Sequence, residues 1–256
     1  MKNQRFIPLE GVHNFRDFGG WAAKNGQNVK SGLLYRSGHL SRASETDQAT
    51  INALGLQTLA DLRQPSERER EPNILPDPAP ATIFETAHGG YEDAPHLAFL
   101  REGNLTVQSV HDYMISAYQR IPDEPHHQRI FADLFKQLRH GEPVLIHCAA
   151  GKDRTGILAA LILLSVGVDS DQVYEDYMLT NVAVDIDGLL PSIAKRISEQ
   201  TGQDVEPQAL RPMLGVETDF LDATFDAIGP LDAYLENTLG VSDADRQALQ
   251  DTLLVP

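Results

Sequence analysis

The stretch VLIHCAAGKDRTGILAALILL, residues 144–164, decides the fold of this chain. Its first three residues, Val144-Leu145-Ile146, form a continuous apolar run that predicts a buried central strand. Its second half predicts a helix over 155–167 that is apolar on all sides and therefore buried. The residues between, from His147 to Arg154, are expected to form a short loop that leads from the end of a strand into the start of a helix.

A loop of this kind is suited to holding an anion, because its backbone amides and the positive end of the helix can point at one ligand. Cys148 and Arg154 are separated by five residues, enough to wrap a tetrahedral oxyanion. The planar guanidinium binds two phosphate oxygens at once, which a lysine cannot do. We expect the positive surroundings to favour the nucleophilic thiolate of Cys148. Gly151 is predicted to adopt a positive φ, and Gly156 to let the helix start close to its neighbours.

The charge of the chain is unevenly distributed. The 256 residues contain 21 Lys+Arg and 37 Asp+Glu, a formal net charge of −16. Residues 1–154 carry 17 basic and 19 acidic side chains, whereas 155–256 carry 4 and 18. Such acidity argues against nucleic-acid binding and against electrostatic docking on anionic membranes. It leaves room for an anionic substrate in a small, locally basic pocket.

The single cysteine excludes an intramolecular disulfide and any multi-cysteine zinc or iron–sulfur site. The N-terminal sequence MKNQRFIPLEGVHNF has no apolar segment typical of a secretory signal. The longest nearly apolar run, 157–168, is too short to span a bilayer. The default expectation is a cytoplasmic protein with no stable membrane insertion.

Helix and strand patterns alternate along the first two thirds of the chain. Ser44 is a predicted N-cap of a helix that stops at Gly55, and strands are predicted over 56–60 and 82–84. Amphipathic helices are predicted over 105–118 and 130–138. From about 169 to 256 the pattern is helical and acidic. We therefore expect one domain, 1–256, of α/β class: a central, mostly parallel sheet of four to five strands flanked by helices, with a helical C-terminal extension.

HCAAGKDRTG, residues 147–156, resembles the His-Cys-x5-Arg-Thr signature of the cysteine-dependent phosphatases. The chain is similar, more narrowly, to the bacterial tyrosine/phosphoinositide phosphatases of that superfamily. The matching pieces are NFRD at 14–17, YRS at 35–37, ADLR at 60–63, DYMLTN at 176–181 and YL…LG at 234–240. The resemblance thus runs nearly end to end. It implies a tyrosine phosphatase-like fold and a mobile helical lid, which we assign to 183–200.

The resemblance implies hydrolysis of phosphate monoesters through a cysteinyl-phosphate on Cys148. Phosphotyrosine is the expected substrate, with phosphoserine/threonine and phosphoinositides as further ones. Arg154 and the loop amides would hold the phosphate oxygens; the loop residues are Ala149, Ala150, Gly151, Lys152 and Asp153. Thr155 is expected to donate a hydrogen bond to the leaving sulfur, or alternatively to satisfy the backbone at the helix start. No cofactor and no metal is implied.

A proton donor is needed because the leaving group is a phenolate or an alkoxide. The resemblance points to Asp61, at the carboxyl end of a predicted strand, where sites of α/β proteins lie. The alternative is that Asp61 simply pairs with Arg63. Asp123 is the rival donor because it lies nearer the sequence distance used by ordinary dual-specificity phosphatases, although an Asp between prolines is usually a turn former.

Two charged residues of the loop are unusual. Lys152 resembles lipid-directed members of the superfamily, in which an added cation suits a phosphorylated inositol head. Asp153 opposes the binding of an anion, so we expect it to pair with Lys152 or to take part in proton transfer. Further candidates for the pocket are Arg63, Arg16, Asp17 and His147. Arg16 and Arg36 have the alternative of being structural ion-pair partners, and His147 that of being satisfied by backbone.

Two other functions remain open at this point. One is a pseudophosphatase that binds phosphate without hydrolysing it. The other is a rhodanese-like sulfurtransferase, which also loads a loop cysteine but does not need an Arg–Thr pair before a helix. The expected partner is a phosphorylated protein or a phosphoinositide. The sequence does not indicate an oligomeric state. Secretion without a cleavable signal is compatible with the family.

Overall fold

A computed structural model describes residues 5–86 and 95–256 of the chain. Its strands are β1 (Arg16–Asp17), β2 (Asn28–Val29), β3 (Leu34–Ser37), β4 (Thr58–Asp61), β5 (Thr82–Glu85), β6 (Val144–His147) and β7 (Leu254–Val255). Five of them form one sheet in the order β1-β3-β6-β4-β5. Only β1 is antiparallel to its neighbour, and the other pairs are parallel. This confirms the predicted mostly parallel sheet.

Helices surround the sheet. They are α1 (Glu45–Ala53), α2 (Pro65–Arg70), α3 (Pro95–Glu102), α4 (Val107–Arg120), α5 (Pro125–Leu138), α6 (Asp153–Ser165), α7 (Ser170–Met178), α8 (Thr180–Ala183), α9 (Ile186–Thr201), α10 (Arg211–Leu214), α11 (Thr218–Ile228), α12 (Leu231–Asn237) and α13 (Asp243–Leu253). The predicted N-cap of α1 is confirmed, since the Ser44 hydroxyl accepts from the Asp47 amide at 3.1 Å. The predicted acidic C-terminal part is helical, as expected.

The register of the parallel strands sets the position of the loop after β6. His147, the last residue of β6, lies opposite Ser37 on one side and Asp61 on the other. The carboxyl ends of β3, β4 and β6 therefore meet at one edge of the sheet. Cys148 follows directly at that edge, which is where ligand sites of open α/β sheets are found.

The main hydrophobic core lies between the sheet and the helices on one face. Helix α6 is buried along almost its whole length, as its apolar sequence predicts. The same core takes in Phe18 from the N-terminal part and Phe220 and Leu235 from α11 and α12. A smaller cluster covers the other face of the sheet, and a third one joins α9 to the segment around Leu210.

A two-stranded sheet joins residues 28–29 to residues 254–255 near the C-terminus. In it Asn28 of β2 pairs with Val255 of β7, and Val29 with Leu254. Lys30 extends the contact: its amide donates to Leu253 O at 2.7 Å and its ammonium to Thr252 O at 2.6 Å. Strands of two residues carry no periodicity, so the sequence did not predict them.

Within residues 5–86 and 95–256, no helix combines the length and the apolar content that crossing a membrane would need. The longest helix, α9, is amphipathic and carries Pro191 in its interior.

Candidate active site

Cys148 lies at the base of a pocket of about 290 Å³ at the carboxyl edge of the sheet. The thiol is 1% exposed. The loop that follows supplies one side of the pocket through Ala149, Ala150, Lys152, Asp153 and Arg154. Helix α6 begins at Asp153, so the loop leads straight into a helix N-terminus, as predicted. The strand, loop and helix thus bring the predicted nucleophile and the predicted phosphate-binding residues to one cavity.

The shape of the loop depends on Gly151. Its φ is +69°, as the sequence predicted, and a Cβ there would lie 2.3 Å from the carbonyl carbon of Ser37. Any side chain would therefore collide with backbone. The Gly151 carbonyl accepts from Asn14 Nδ2 at 2.9 Å and from Arg36 Nη2 at 3.0 Å. Gly156 has the predicted close approach, since a Cβ would lie 2.9 Å from the ring of Tyr177.

A buried ion-pair cluster supports the loop from behind. The Asp176 carboxylate lies 3.3 Å from Arg16 Nε and 2.7 Å from Arg36 Nη1, and all three side chains are buried. Burial, with the neighbouring charge of Arg36, lowers the pKa of Arg16 to about 9. Asp17 accepts from the amides of Gly19 and Gly32. Neither Arg16 nor Asp17 lines the pocket. The ion pairs of Arg16 and Arg36 with Asp176 fit the structural alternative stated for these two arginines.

Asp61 and Arg63 pair with each other beside the pocket. Asp61 accepts from Arg63 Nε at 2.9 Å and from Nη2 at 2.7 Å, and Asn73 Nδ2 lies at 3.1 Å. Burial opposes ionisation of Asp61, but the nearby His147 and Arg63 outweigh it and lower the pKa of this carboxyl. Neither Asp61 nor Arg63 contributes to the pocket lining. The arrangement matches the alternative reading of Asp61 as a structural ion-pair partner.

His147 also lies behind the pocket. Its Nδ1 is 3.3 Å from Cys148 O, and its Nε2 is 3.2 Å from Asn73 Nδ2 and 3.5 Å from Asp61 Oδ2. Burial lowers the pKa of His147 to about 4, so the imidazole is neutral near pH 7. It does not line the pocket, and its backbone contact fits the alternative of a histidine satisfied by backbone.

Asp123, the rival proton donor, ends the short helix Ile121–Asp123. It does not line the cavity that contains Cys148. It lies instead at a shallow depression between α4, α5 and α11, together with Asp226.

The guanidinium of Arg154 is held by a residue that sequence reasoning missed. Glu67 of α2 accepts from Arg154 Nη1 at 2.6 Å and from Nη2 at 2.9 Å, and Nη1 also donates to Leu62 O. Burial opposes the charge of Glu67, but the hydrogen bonds and charge of Arg154 outweigh it and lower the pKa to about 2. The sequence pattern that could have revealed Glu67 is Gln64-Pro65-Ser66-Glu67, in which a glutamate follows the first residue of a helix start by three positions.

Asp153 is the carboxylate of the loop that lines the pocket. The predicted pairing with Lys152 is present, with Nζ 2.9 Å from Oδ1, and the same oxygen accepts from Tyr118 OH at 2.8 Å. Tyr118 in turn accepts from Tyr177 OH at 2.6 Å. Lys152 Nζ also donates to Gly215 O at 3.0 Å. The Lys152 side chain is only 8% exposed, so the pair is not a solvated one.

Thr155 lies in the first turn of α6 and is fully buried. In the part of the chain that the structure describes, its Oγ1 has no hydrogen-bond partner, neither the Cys148 sulfur nor a backbone group. Its predicted role toward the sulfur stays a prediction.

The rest of the pocket lining comes from residues that the sequence did not single out. Apolar and aromatic walls come from Tyr113, Met114, Ile121 and Met213, and cationic or ionisable groups from Arg70, His96, Arg120, Glu124 and His127. The predicted lid segment forms α9, which packs through Ile186, Leu190 and Ile197 on a cluster of its own rather than on the main core. Whether α9 moves stays a prediction.

The chain matches known proteins along almost its whole length. The model of the tyrosine phosphatase family matches residues 7–255. The triple specificity protein phosphatase PtpB of Mycobacterium tuberculosis is 33% identical over 284 residues, which cover 96% of this chain and 98% of that protein. A tyrosine-protein phosphatase of Nostoc commune is 27% identical over 236 residues, covering 87% and 74%. The crystal structure of Pseudomonas aeruginosa TpbA is 17% identical, covers 76% of this chain and 96% of that one, and has a TM-score of 0.34.

Proposed function

The chain belongs to the tyrosine phosphatase family, and on that premise we propose that it hydrolyses phosphotyrosine through a phosphocysteine on Cys148. That it is a phosphatase follows from the family. The roles of individual residues and the order of preference among substrates are our inference. The observation that carries the proposal is Cys148 at the base of a pocket whose side is formed by Arg154, itself fixed by Glu67.

In the first step the Cys148 thiolate attacks phosphorus, the S–P bond forms and the bond to the ester oxygen breaks. Arg154 has five N–H groups. Both hydrogens of Nη1 are engaged by Glu67 and Leu62, and one of Nη2 by Glu67. Within the part of the chain that the structure describes, the Nε–H and the second Nη2–H have no such acceptor, and these form the fork that holds two equatorial oxygens of the phosphoryl group.

We assign the proton transfer to Asp153. The hydrogen bonds that its carboxylate accepts from Lys152 Nζ and Tyr118 OH both fall on Oδ1. Among the described residues Oδ2 has no such contact, so a proton on this carboxyl resides on Oδ2. In the first step Oδ2 gives that proton to the leaving oxygen, and in the second it takes one from the attacking water. Asp61, by contrast, does not line the pocket, and both of its carboxylate oxygens accept hydrogen bonds from Arg63.

The second step releases phosphate. Water attacks the phosphocysteine, the S–P bond breaks and the thiolate is regenerated. Thr155, in the first turn of the helix that follows the loop, supplies a hydrogen bond to the departing sulfur once the side chain turns toward it. Its buried hydroxyl, without a partner among the described residues, supports this assignment.

The walls of the pocket suit an aromatic ester. Tyr113, Met114 and Ile121 offer apolar surface to a phenyl ring above the phosphate. Arg70 and Arg120 in the pocket lining add positive charge, which suits a second phosphate such as that of a phosphoinositide. The relative named as a triple specificity phosphatase supports a range of substrates. We therefore propose phosphotyrosine first, with phosphoserine/threonine and phosphoinositides as further substrates.

The test is hydrolysis of para-nitrophenyl phosphate by the wild type and by Cys148→Ser, each with and without EDTA. We expect turnover by the wild type in both conditions and none by Cys148→Ser. If a phosphorylated enzyme can be trapped with the wild type and not with Cys148→Ser, the phosphocysteine intermediate is identified. Turnover that survives Cys148→Ser, or that EDTA abolishes, contradicts the mechanism. A wild type that binds phosphate without turnover is a pseudophosphatase, and one that transfers sulfur from thiosulfate is a sulfurtransferase.

A further inference from the structure

Glu124, His126 and His127 form a cluster that the phosphatase chemistry does not use. Glu124 precedes α5, and the two histidines lie in its first turn. His126 Nε2 is 3.3 Å and His127 Nδ1 is 3.1 Å from the same oxygen, Glu124 Oε2. The three ligand-type atoms all lie within 4.8 Å of one another. Two imidazoles and one carboxylate therefore converge on one point.

The spacing of these atoms fits a tetrahedral transition metal. Zinc binds His nitrogen and carboxylate oxygen at about 2.0–2.1 Å, so neighbouring ligand atoms of a tetrahedron lie about 3.3 Å apart. The two distances measured to Glu124 Oε2 are 3.1 and 3.3 Å. Nitrogen and oxygen donors of this mixture suit Zn²⁺ better than Mg²⁺ or Ca²⁺, which prefer oxygen alone. Three protein ligands leave a fourth position open.

Two buried polar atoms beside the cluster lack a hydrogen-bond partner in the described part of the chain, although the nitrogen of His127 that faces Glu124 is Nδ1, which also lies 3.1 Å from Ile121 O. His127 is 1% exposed, yet its Nε2 has no hydrogen-bond partner within residues 5–86 and 95–256, and the same holds for Gln64 Oε1. Gln64 Nε2 lies 2.7 Å from His126 Nε2 and donates to it. The one lone pair of that nitrogen accepts this hydrogen bond, so a metal ion bound by His126 takes the place of the Gln64 amide.

Two features oppose a cation here. The positive end of α5 points at the cluster, and Arg154 acts on His126 electrostatically. The charge of Glu124 offsets part of this repulsion. We therefore expect weaker binding than at a structural zinc site, and a cation that exchanges with solvent.

The position of the cluster gives the metal an effect on the enzyme. Gln64, Glu124 and His127 line the cavity that contains Cys148. We propose that Glu124, His126 and His127 bind a zinc-class divalent cation at the wall of this cavity, and that its binding inhibits the phosphatase by occupying space that the substrate needs. The cation takes no part in phosphoryl transfer.

Calorimetric titration of ZnCl₂ into the Cys148→Ser protein tests the site, because the thiolate can no longer bind the metal. We expect one Zn²⁺ per chain, and binding at least tenfold weaker when Glu124→Gln or His126→Asn is added. His111→Asn is the matched control, since His111 Nε2 also lies 3.6 and 3.8 Å from two carboxylates, Glu217 and Asp219, outside this cavity. It should leave the affinity unchanged. Thermal melts without metal verify that each variant is folded.

The same cation should reduce hydrolysis of para-nitrophenyl phosphate by the wild type, and EDTA should restore it. The folded His126→Asn variant should need at least a tenfold higher cation concentration for the same inhibition, because only the Cys148 thiolate is then left to bind the metal. Absence of binding by Cys148→Ser, or equal binding by Cys148→Ser and by its Glu124→Gln and His126→Asn derivatives, overturns the site. Binding that leaves hydrolysis unchanged overturns the inhibitory role. None of these results depends on which phosphorylated substrate the enzyme uses.

Discussion

The guanidinium of Arg154 and the carboxylate of Glu67 form a two-point ion pair, with Nη1–Oε2 at 2.6 Å and Nη2–Oε1 at 2.9 Å. The residues are 87 positions apart in sequence. The pair fixes the plane of the guanidinium, and with it the direction of the two N–H groups left for phosphate.

Glu67→Gln should lower kcat/KM for para-nitrophenyl phosphate by about 10- to 100-fold, because a misdirected guanidinium binds the transition state less well. Glu69→Gln, an exposed change on the same helix, is the control and should leave the rate unchanged. A loss confined to KM with kcat intact would mean that Glu67 affects substrate binding only, contrary to its assignment as a positioning residue.

Asp153→Asn should slow hydrolysis of phenyl phosphate by about 10²- to 10⁴-fold, the usual contribution of a proton donor. The loss should be much smaller for an ester whose leaving group needs no proton, and the comparison of leaving groups separates this role from damage to the loop. Asp61→Asn and Asp123→Asn should show no such dependence on the leaving group. If either of them shows it and Asp153→Asn does not, the donor is the residue that the sequence suggested.

His147 should make the fold sensitive to acid. Burial lowers the pKa of His147 from 6.5 to about 4, so the unfolded chain takes up the proton first as pH falls. The free energy of unfolding should therefore drop between pH 6.5 and 4, by on the order of 3 kcal/mol for this group. Urea denaturation across this range should show a smaller drop for His147→Gln than for the wild type. The exposed His140→Gln is the control, and equal drops in all three proteins would contradict the assignment.

Gly151→Ala should abolish activity and destabilise the protein, because the new Cβ adds a backbone collision to the strain of a positive φ. Gly202 has a similar φ, +74°, but a Cβ at that position would meet no other atom within 4 Å. Gly202→Ala should thus lower the free energy of unfolding only by the cost of placing an alanine at a positive φ, about 1 kcal/mol. Thermal denaturation compares the two, and equal losses would show that the contact with Ser37 is unimportant.

The parts of the site that are contiguous in sequence could be predicted. The strand β6, the loop and helix α6 follow from residues 144–164, and the short spacing of Cys148 and Arg154 places both at one cavity. Local signals also predicted the N-cap Ser44 and the pairing of Lys152 with Asp153. In each case the interacting groups lie within a few residues of one another.

The contacts that adjust those residues could not be predicted, because they depend on tertiary packing. Glu67 reaches Arg154 only once α2 lies against the loop, and Tyr118 reaches Asp153 only once α4 packs against α6. Asp61 shows the converse. Its place at a strand end was correct, but a residue two positions away, Arg63, competes for its carboxylate. The position of Asp61 in the sequence did not show how completely Arg63 occupies its carboxylate.

The pairing of β2 with β7 has a consequence for biosynthesis. Residues 28–29 leave the ribosome long before their partners at 254–255 have been added to the chain. During translation the edge of β2 and the backbone near Lys30 must remain unpaired, while α4, α5 and β6 can already assemble. The pairing of β2 with β7 can form only after residues 254–255 have emerged, so a nascent chain stalled before residue 254 should carry the nucleophile and its loop but lack this closure.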